Sequence, residues 1–263
     1  MRKNPGFTAV AVVSLALGIG ANTAIFSLVD AVLLKTLPVK DPHQLYVVAK
    51  NPERPSTSRT YPDYAASRDH NTGFAGLVSY SGVGPFGFTM QSSGDAQTEV
   101  AMGAQVSGNY FQVLGVDPAL GRVLNPEDDR APGVGPYLVL SHNFWRRRFG
   151  ADPRITGVTV RVNGYPFTIV GVARSGFTGV EIGVAPDFFF PLMMRTEVTK
   201  NANWNNRNHS WISVLGRLKS GASIAQLETE LYTIGKEQEA LDRRTALNQR
   251  FVNSAQKIKL LPG

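Results

Sequence analysis

From Phe7 to Val29 the chain carries no charged side chain, and the run lies behind Arg2 and Lys3 and ahead of a long region of mixed composition. A bilayer core about 30 Å thick is crossed by roughly 20 apolar residues in a helix, and this run is longer than that. It therefore reads as a membrane span. Lys and Arg are retained on the cytoplasmic side, so Arg2, Lys3 and the free N-terminus put the N-terminus in the cytoplasm and the following region outside. The far flank carries Asp30, Lys35, Lys40 and Asp41, which leaves the N-terminal end to set the charge contrast.

Two other readings compete with a span. A cleaved signal peptide has a shorter apolar core of about 7 to 15 residues followed by a small-x-small site. Here the apolar character continues through Ala31, Val32, Leu33 and Leu34, and no Ala-x-Ala follows. An exported enzyme released by cleavage would begin near residues 24 to 31. A buried core helix of this length would show a polar face. The anchor fits best.

With 263 residues, 43% hydrophobic and 18% charged, the remainder suffices for one ordinary domain or two small ones. There is no cysteine, which excludes disulfides, thiolate nucleophiles, zinc-thiolate and iron–sulfur sites. The net charge of +7 is scattered and is not striped with aromatics, so nucleic acid is not an expected partner. The densest basic run, Arg146-Arg147-Arg148, follows Ser141 to Trp145 and precedes Phe149-Gly150. That is the pattern of a short helix with cations in its last turn and glycine at its stop.

Leu37-Pro38 ends the apolar helix and Asp41-Pro42 marks a turn. Leu45 to Ala49 reads as a strand, Asn51 to Ser58 as a loop, Tyr61 to Ala66 as a helix start with proline in its first turn, and Leu77 to Tyr80 as a second strand. The pattern recurs near the C-terminus. Trp211 to Leu215 is strand-like, Ser223 and Gln226 form a capping box, and Ile258 to Leu261 is a closing strand. Ile224, Leu227, Leu231, Ile234 and Leu241 are expected on one buried stripe.

Between these β-α-β units, strands dominate. Val158 to Val162 and Phe167 to Val170 flank Asn163-Gly164, a two-residue hairpin turn. Pro166 cannot donate to a ladder, so its strand should lie at an edge there. Met102 to Gln105 and Asp187 to Phe190 are further strands. The expected fold class is α+β: residues 1–40 as transmembrane helix and extension, 41–85 with 205–263 as a β-α-β subdomain, and 86–204 as an inserted, mainly β subdomain.

Chemical motifs are sparse. Gly82-Val83-Gly84-Pro85-Phe86-Gly87 is formally GxGxxG, but no helix pattern opens there to meet a pyrophosphate. No GxxxxGK[ST] occurs, so ATP binding through a P-loop is not expected. His43, His70, His142 and His209 are dispersed and form no HExxH pair. Glu127-Asp128-Asp129 reads as a solvated loop or helix start, not as an acid/base pair. Ser254 to Lys257 matches SxxK without its companion motifs, and Asn208-His209-Ser210 fits a glycosylation sequon. No catalytic residue, metal site or cofactor is expected, and the chain does not read as an enzyme.

The apolar helix says more. Ala11, Ser14, Gly18 and Ala21 fall on one face, and small faces let helices pack closely in lipid. Asn22 lies beside them, placed to hydrogen-bond to another membrane helix. These five residues are the candidate helix-packing site, and they imply partner helices.

Arg2-Lys3-Asn4-Pro5-Gly6-Phe7-Thr8, the run Leu15 to Ser27 with its GIGANTAIFS core, Ala31 to Leu34 and Leu37-Pro38 resemble the first membrane helix of MacB-like and FtsX-like ABC transporter permeases. Gly108 to Phe111, Leu114 to Val116, Pro118 to Arg122, Leu140-Ser141, Val162 to Gly164 and Val170 to Val172 resemble that family's periplasmic core domain. The resemblance implies an inner-membrane helix carrying a bipartite extracytoplasmic domain. It also implies a homodimeric permease driven by a cytoplasmic ABC ATPase, with a periplasmic partner protein, in efflux or other envelope-related transport. Family permeases continue into three more membrane helices, and some carry a cytoplasmic amphipathic segment before the first. The expectation is accordingly a fragment or truncated reading frame of such a permease. The alternative is a single-span anchored binding or regulatory module without transport.

Overall fold

An apolar helix, α1 (Pro5–Leu33), opens the chain in the computed structural model, which describes residues 5–33, 38–51, 53, 55–90, 97–181, 183–245 and 257–263. At 1.5 Å per residue α1 is about 44 Å long, enough to cross a bilayer. Its segment Gly6–Thr23 has a mean hydropathy of 1.5. Thr23 turns its hydroxyl back onto the Ile19 carbonyl at 2.8 Å, so the helix satisfies this polar group itself. Arg2, Lys3 and the SxxK serine lie outside the described residues.

Residues 38–263 form a separate unit. It begins with β1 (Leu45–Lys50), β2 (Ser58–Arg59), α2 (Tyr61–His70) and β3 (Phe74–Tyr80). There follow β4 (Gly84–Met90), β5 (Thr98–Val106), α3 (Tyr110–Leu114), β6 (Pro118–Gly121), β7 (Tyr137–Leu140) and α4 (His142–Phe149). The unit continues with β8 (Thr159–Val162), β9 (Tyr165–Ala173), β10 (Phe188–Pro191) and α5 (Arg195–Thr199), and ends with β11 (Ile212–Leu218), α6 (Ile224–Thr245) and β12 (Ile258–Pro262).

Four strands make an open antiparallel sheet in the order β3-β11-β1-β12. The units β1-α2-β3 and β11-α6-β12 are interlocked. β11 lies between β1 and β3, and β1 lies between β11 and β12, the split arrangement of ferredoxin-like folds. α2 and α6 bury a common core that includes Val48, Tyr64, Leu77, Val214, Leu227, Leu231 and Leu260. α2 starts where the Thr60 side chain accepts the Asp63 N–H and Pro62 occupies the first turn. α6 starts at Ser223, whose hydroxyl accepts the Gln226 N–H at 3.4 Å. The expected stripe stops short, because Leu241 is 50% exposed. Ile234 is the last buried side chain described in α6, and seven residues further on the helix has advanced about 10 Å.

The inserted strands close on themselves. β5, β4, β8, β9, β7 and β10 pair in succession, and β10 returns to β5 as a parallel neighbour. Closure removes the exposed edges that an open sheet must protect. The barrel is packed with Phe88, Phe144, Phe167, Phe188 and Phe190, and each fully buried Phe is worth roughly 1.5–3 kcal/mol. Gly103 must be small, since a Cβ there would lie 2.7 Å from the Phe188 ring. The β8–β9 hairpin turns at Asn163-Gly164 with φ of 47° and 83°, as its sequence predicts. Pro166 pairs with Arg161 on one side, and β7 joins β9 only from Thr168 onward, so the proline meets no second neighbour.

The two cores are bolted together by one short segment. Leu192 and Met193, in a 3-10 turn, enter the open-sheet core, whereas Met194 and Val198 enter the barrel core. Asp129 fastens the bolt by accepting the Met193 N–H at 2.8 Å and the Gly108 N–H at 3.2 Å. Its neighbour Asp128 is buried, closes a capping box with Asn125 and pairs with both terminal nitrogens of Arg122 at 2.6 and 3.0 Å. The acidic cluster is therefore a helix start, one of its two expected readings; Glu127 is exposed, while Asp128 and Asp129 take from neighbouring elements the donors that water would supply.

Burial pushes the Asp129 carboxyl up to about 7, against the lowering effect of its two N–H donors. A carboxyl raised above its ordinary 3.8 stabilises the fold fully below that value, and loses the contribution as pH climbs through 7. The urea midpoint of the chain should fall between about pH 5 and about pH 8, and Asp129→Asn should flatten that dependence. A wild-type midpoint that rises over this interval would mean that the ionised form is the one the fold prefers.

Candidate functional site

Among the described residues no group of three or more His, Asp or Glu could hold a metal ion. His70 contacts the Ala66 carbonyl, His142 meets Trp145 edge to face, His209 approaches Arg195, and His43 lies in an exposed turn. The last four residues of the GxGxxG run, Gly84 to Gly87, open β4 and pair with β5, with no helix opening behind them. A crevice near Tyr80, Tyr110 and Phe189 has a free volume of about 10 Å³, room for no more than one water. Asn208 of the sequon is exposed in a turn whose N–H bonds to the Asn206 side chain.

A densely bonded polar feature among the described residues is the collar where the chain enters the domain. Arg217, on β11, donates from Nε to the Val113 carbonyl at 2.8 Å and from Nη1 to the Asp41 carbonyl at 3.1 Å. Its Nη2 reaches the Lys40 carbonyl, and Nη1 also touches the Gln44 side chain. Arg174, just past β9, donates to the Pro38 carbonyl at 2.6 Å. Lys40 N–H in turn donates to the Leu114 carbonyl at 2.9 Å. Burial lowers the Arg217 pKa and the Asp41 charge opposes that. The fixed five-donor fork of a guanidinium suits this work of gathering several acceptors.

Two local conformations allow the collar to close. Asp41 adopts φ 43°, which turns the chain into β1. Gly115 ends α3 with φ 67°, and a Cβ there would sit 2.5 Å from the Lys40 Cβ. The last strand returns to the same place, since Tyr46 pairs with Pro262 and Gly263 N–H bonds the Leu45 carbonyl at 3.0 Å. The first and last strands of the unit thus lie side by side.

The sequence reading singles out neither Arg174 nor Arg217. A signal for Arg217 exists: Ser213, Leu215 and Arg217 share one face of β11, and Leu215 on that face is buried, so a cation there needs partners. The helix-packing residues Ala11, Ser14, Gly18, Ala21 and Asn22 all lie on the exposed part of α1, and a Cβ added at Gly18 or Gly20 meets nothing within 4 Å.

Comparison with known proteins agrees with this architecture. The family described as MacB-like periplasmic core domain matches residues 8–234, from within α1 to α6. No curated protein matches significantly in sequence. Among solved structures, a domain of a proposed permease protein from Porphyromonas gingivalis is similar with a TM-score of 0.60 at 14% identity, over 86% of this chain and 93% of that one. The periplasmic region of MacB from Actinobacillus actinomycetemcomitans gives 0.53 at 13% identity, over 83% and 88%. The extracellular domain of the noncanonic ABC-type transporter YknZ from Gram-positive bacteria gives 0.54 at 14%, over 82% and 99%. Identities this low speak for the fold alone, whereas the family match spans most of the sequence. The chain belongs to the MacB-like periplasmic core domain family.

Proposed function

We propose that the chain is the membrane-anchored extracytoplasmic part of an ABC transporter permease, in which ATP hydrolysis by a separate cytoplasmic ATPase drives movement of the outer domain during efflux or other envelope-related transport. The observation that carries this reading is the collar. A domain meant to be moved by its membrane attachment needs a stiff joint at that attachment, and here Arg217 and Arg174 bond the entering segment to the sheet and to the turn after β9. β1, which follows the entering segment, is bonded to β11 and β12, so displacement enters the open sheet first. In this reading the chain itself performs no catalysis, works as a homodimer in the inner membrane with its N-terminus in the cytoplasm, and meets a periplasmic partner protein.

Replacing the guanidinium tests the joint directly. Arg217→Met should leave the protein in the membrane, raise amide hydrogen exchange at Lys40 by roughly tenfold or more, since the bonds to the Lys40, Asp41 and Val113 carbonyls are all lost, and depress transport in cells that supply the ATPase. Undiminished transport with a loosened collar would remove Arg217 from the coupling path.

The small face of α1 supports packing against other membrane helices. Gly18→Leu and Asn22→Leu should each weaken co-purification of the chain with its permease partners, while Leu17→Ile on another face should not. Equal behaviour of all three variants would reject that face. Protease added to spheroplasts should cut the domain and spare α1; a domain resistant there and cut only after lysis would reverse the orientation.

A further inference from the structure

A buried charge at the start of α2 takes no part in the collar. Arg59 ends β2 and is 4% exposed, and its Nε and Nη1 have no hydrogen-bond partner among the described residues. Buried polar groups in folded proteins are paired with protein, ordered water or an ion, and an exception calls for an explanation. For a guanidinium the demand is stronger, because burying a charge without a counter-charge is costly.

The charge that Arg59 meets is Asp63, in the first turn of α2. That carboxylate is already engaged by Lys50 Nζ at 3.1 Å and by Arg207 Nη1 at 3.4 Å, the latter also reaching the Gln238 side chain. Burial pushes the Asp63 carboxyl up, but Lys50 and Arg59 more than offset this and keep it ionised. With Arg207 set aside, Lys50 and Arg59 still exceed the single carboxylate by one positive charge. The N-terminal end of α2, a helix of ten residues whose Asp63 N–H is capped by Thr60, adds the partial positive charge of its dipole.

We propose that Arg59, Lys50 and the first turn of α2 form a binding site for a small oxyanion, a phosphate or a carboxylate, that pairs with the Arg59 guanidinium. The planar fork of a guanidinium matches two oxygens of such an ion. The flanking Lys50 and Asp63 side chains are 15% and 22% exposed, whereas Arg59 is 4% exposed.

The full chain in detergent micelles, prepared without phosphate, is titrated with inorganic phosphate or acetate, with sodium chloride at matched ionic strength as control. Thermal unfolding and calorimetry follow binding. Phosphate or acetate should raise Tm saturably where chloride does not, Arg59→Met should abolish the effect, and Lys50→Gln should weaken the affinity about fivefold or more. Arg217→Met should leave the titration unchanged, which separates this site from the collar. A shift of equal size with chloride, or a phosphate titration that survives Arg59→Met, overturns the proposal. Should Arg59→Met fail to fold, an unaltered affinity in Lys50→Gln overturns it equally.

Discussion

Strand β1 is bonded on both of its edges, to β11 and to β12, and the rest of the extracytoplasmic unit follows from that constraint. A strand near the start of the unit that pairs only with strands near its end obliges the intervening chain to leave the sheet and come back. What leaves is a closed barrel, which has satisfied its own edges and so need not borrow any from the open sheet. What comes back is β11, which separates β1 from β3 and interlocks the two β-α-β units. Pairings so distant in sequence must close a large loop before they contribute stability.

The same constraint explains where polar interactions concentrate. The open sheet and barrel meet at one registered pair, Tyr80 with Val106; beside it Ser81 and Ser107 donate ladder bonds to the Gln105 and Ser79 carbonyls, while the return bonds go to hydroxyls, Ser81 accepting the Gln105 N–H and Ser107 the Ser79 N–H. Hydrophobic burial within each core does not orient one core on the other. That task falls to the segment from Leu192 to Val198, which sends side chains both ways, and to Asp129, which caps it. At the other end of the open sheet the collar does the corresponding work with cations in place of a carboxylate.

Much of the fold was legible residue by residue. Asn163-Gly164 needs only its own positive φ angles to make a hairpin, Ser223 needs only the Gln226 N–H to start a helix, and Gly150 ends α4 through its own freedom at φ 60°. The candidate site was far less legible. Arg217 binds carbonyls of Lys40, Asp41 and Val113, and such acceptors belong to every residue type and leave no motif. Asp128 and Asp129 have the side chains of a surface loop, and only the approach of Arg122, Gly108 and Met193 makes them structural. Leu241 shows the opposite failure: its spacing fits the buried stripe, but the helix outruns the sheet.

By itself, then, the sequence determined whatever depends on neighbours in the chain: a charge-free helix long enough to cross a bilayer, the strands and helices with their caps and turns, and a resemblance carried by short motifs. Tertiary structure decided what depends on residues meeting from afar. It threaded β11 between β1 and β3, closed the barrel through β10, gave Asp129 its raised pKa, and assembled the collar around Arg217. The physical reason is range. Backbone propensity and side-chain periodicity act over a few residues, whereas pairing, burial and charge compensation are settled only when distant segments share one volume.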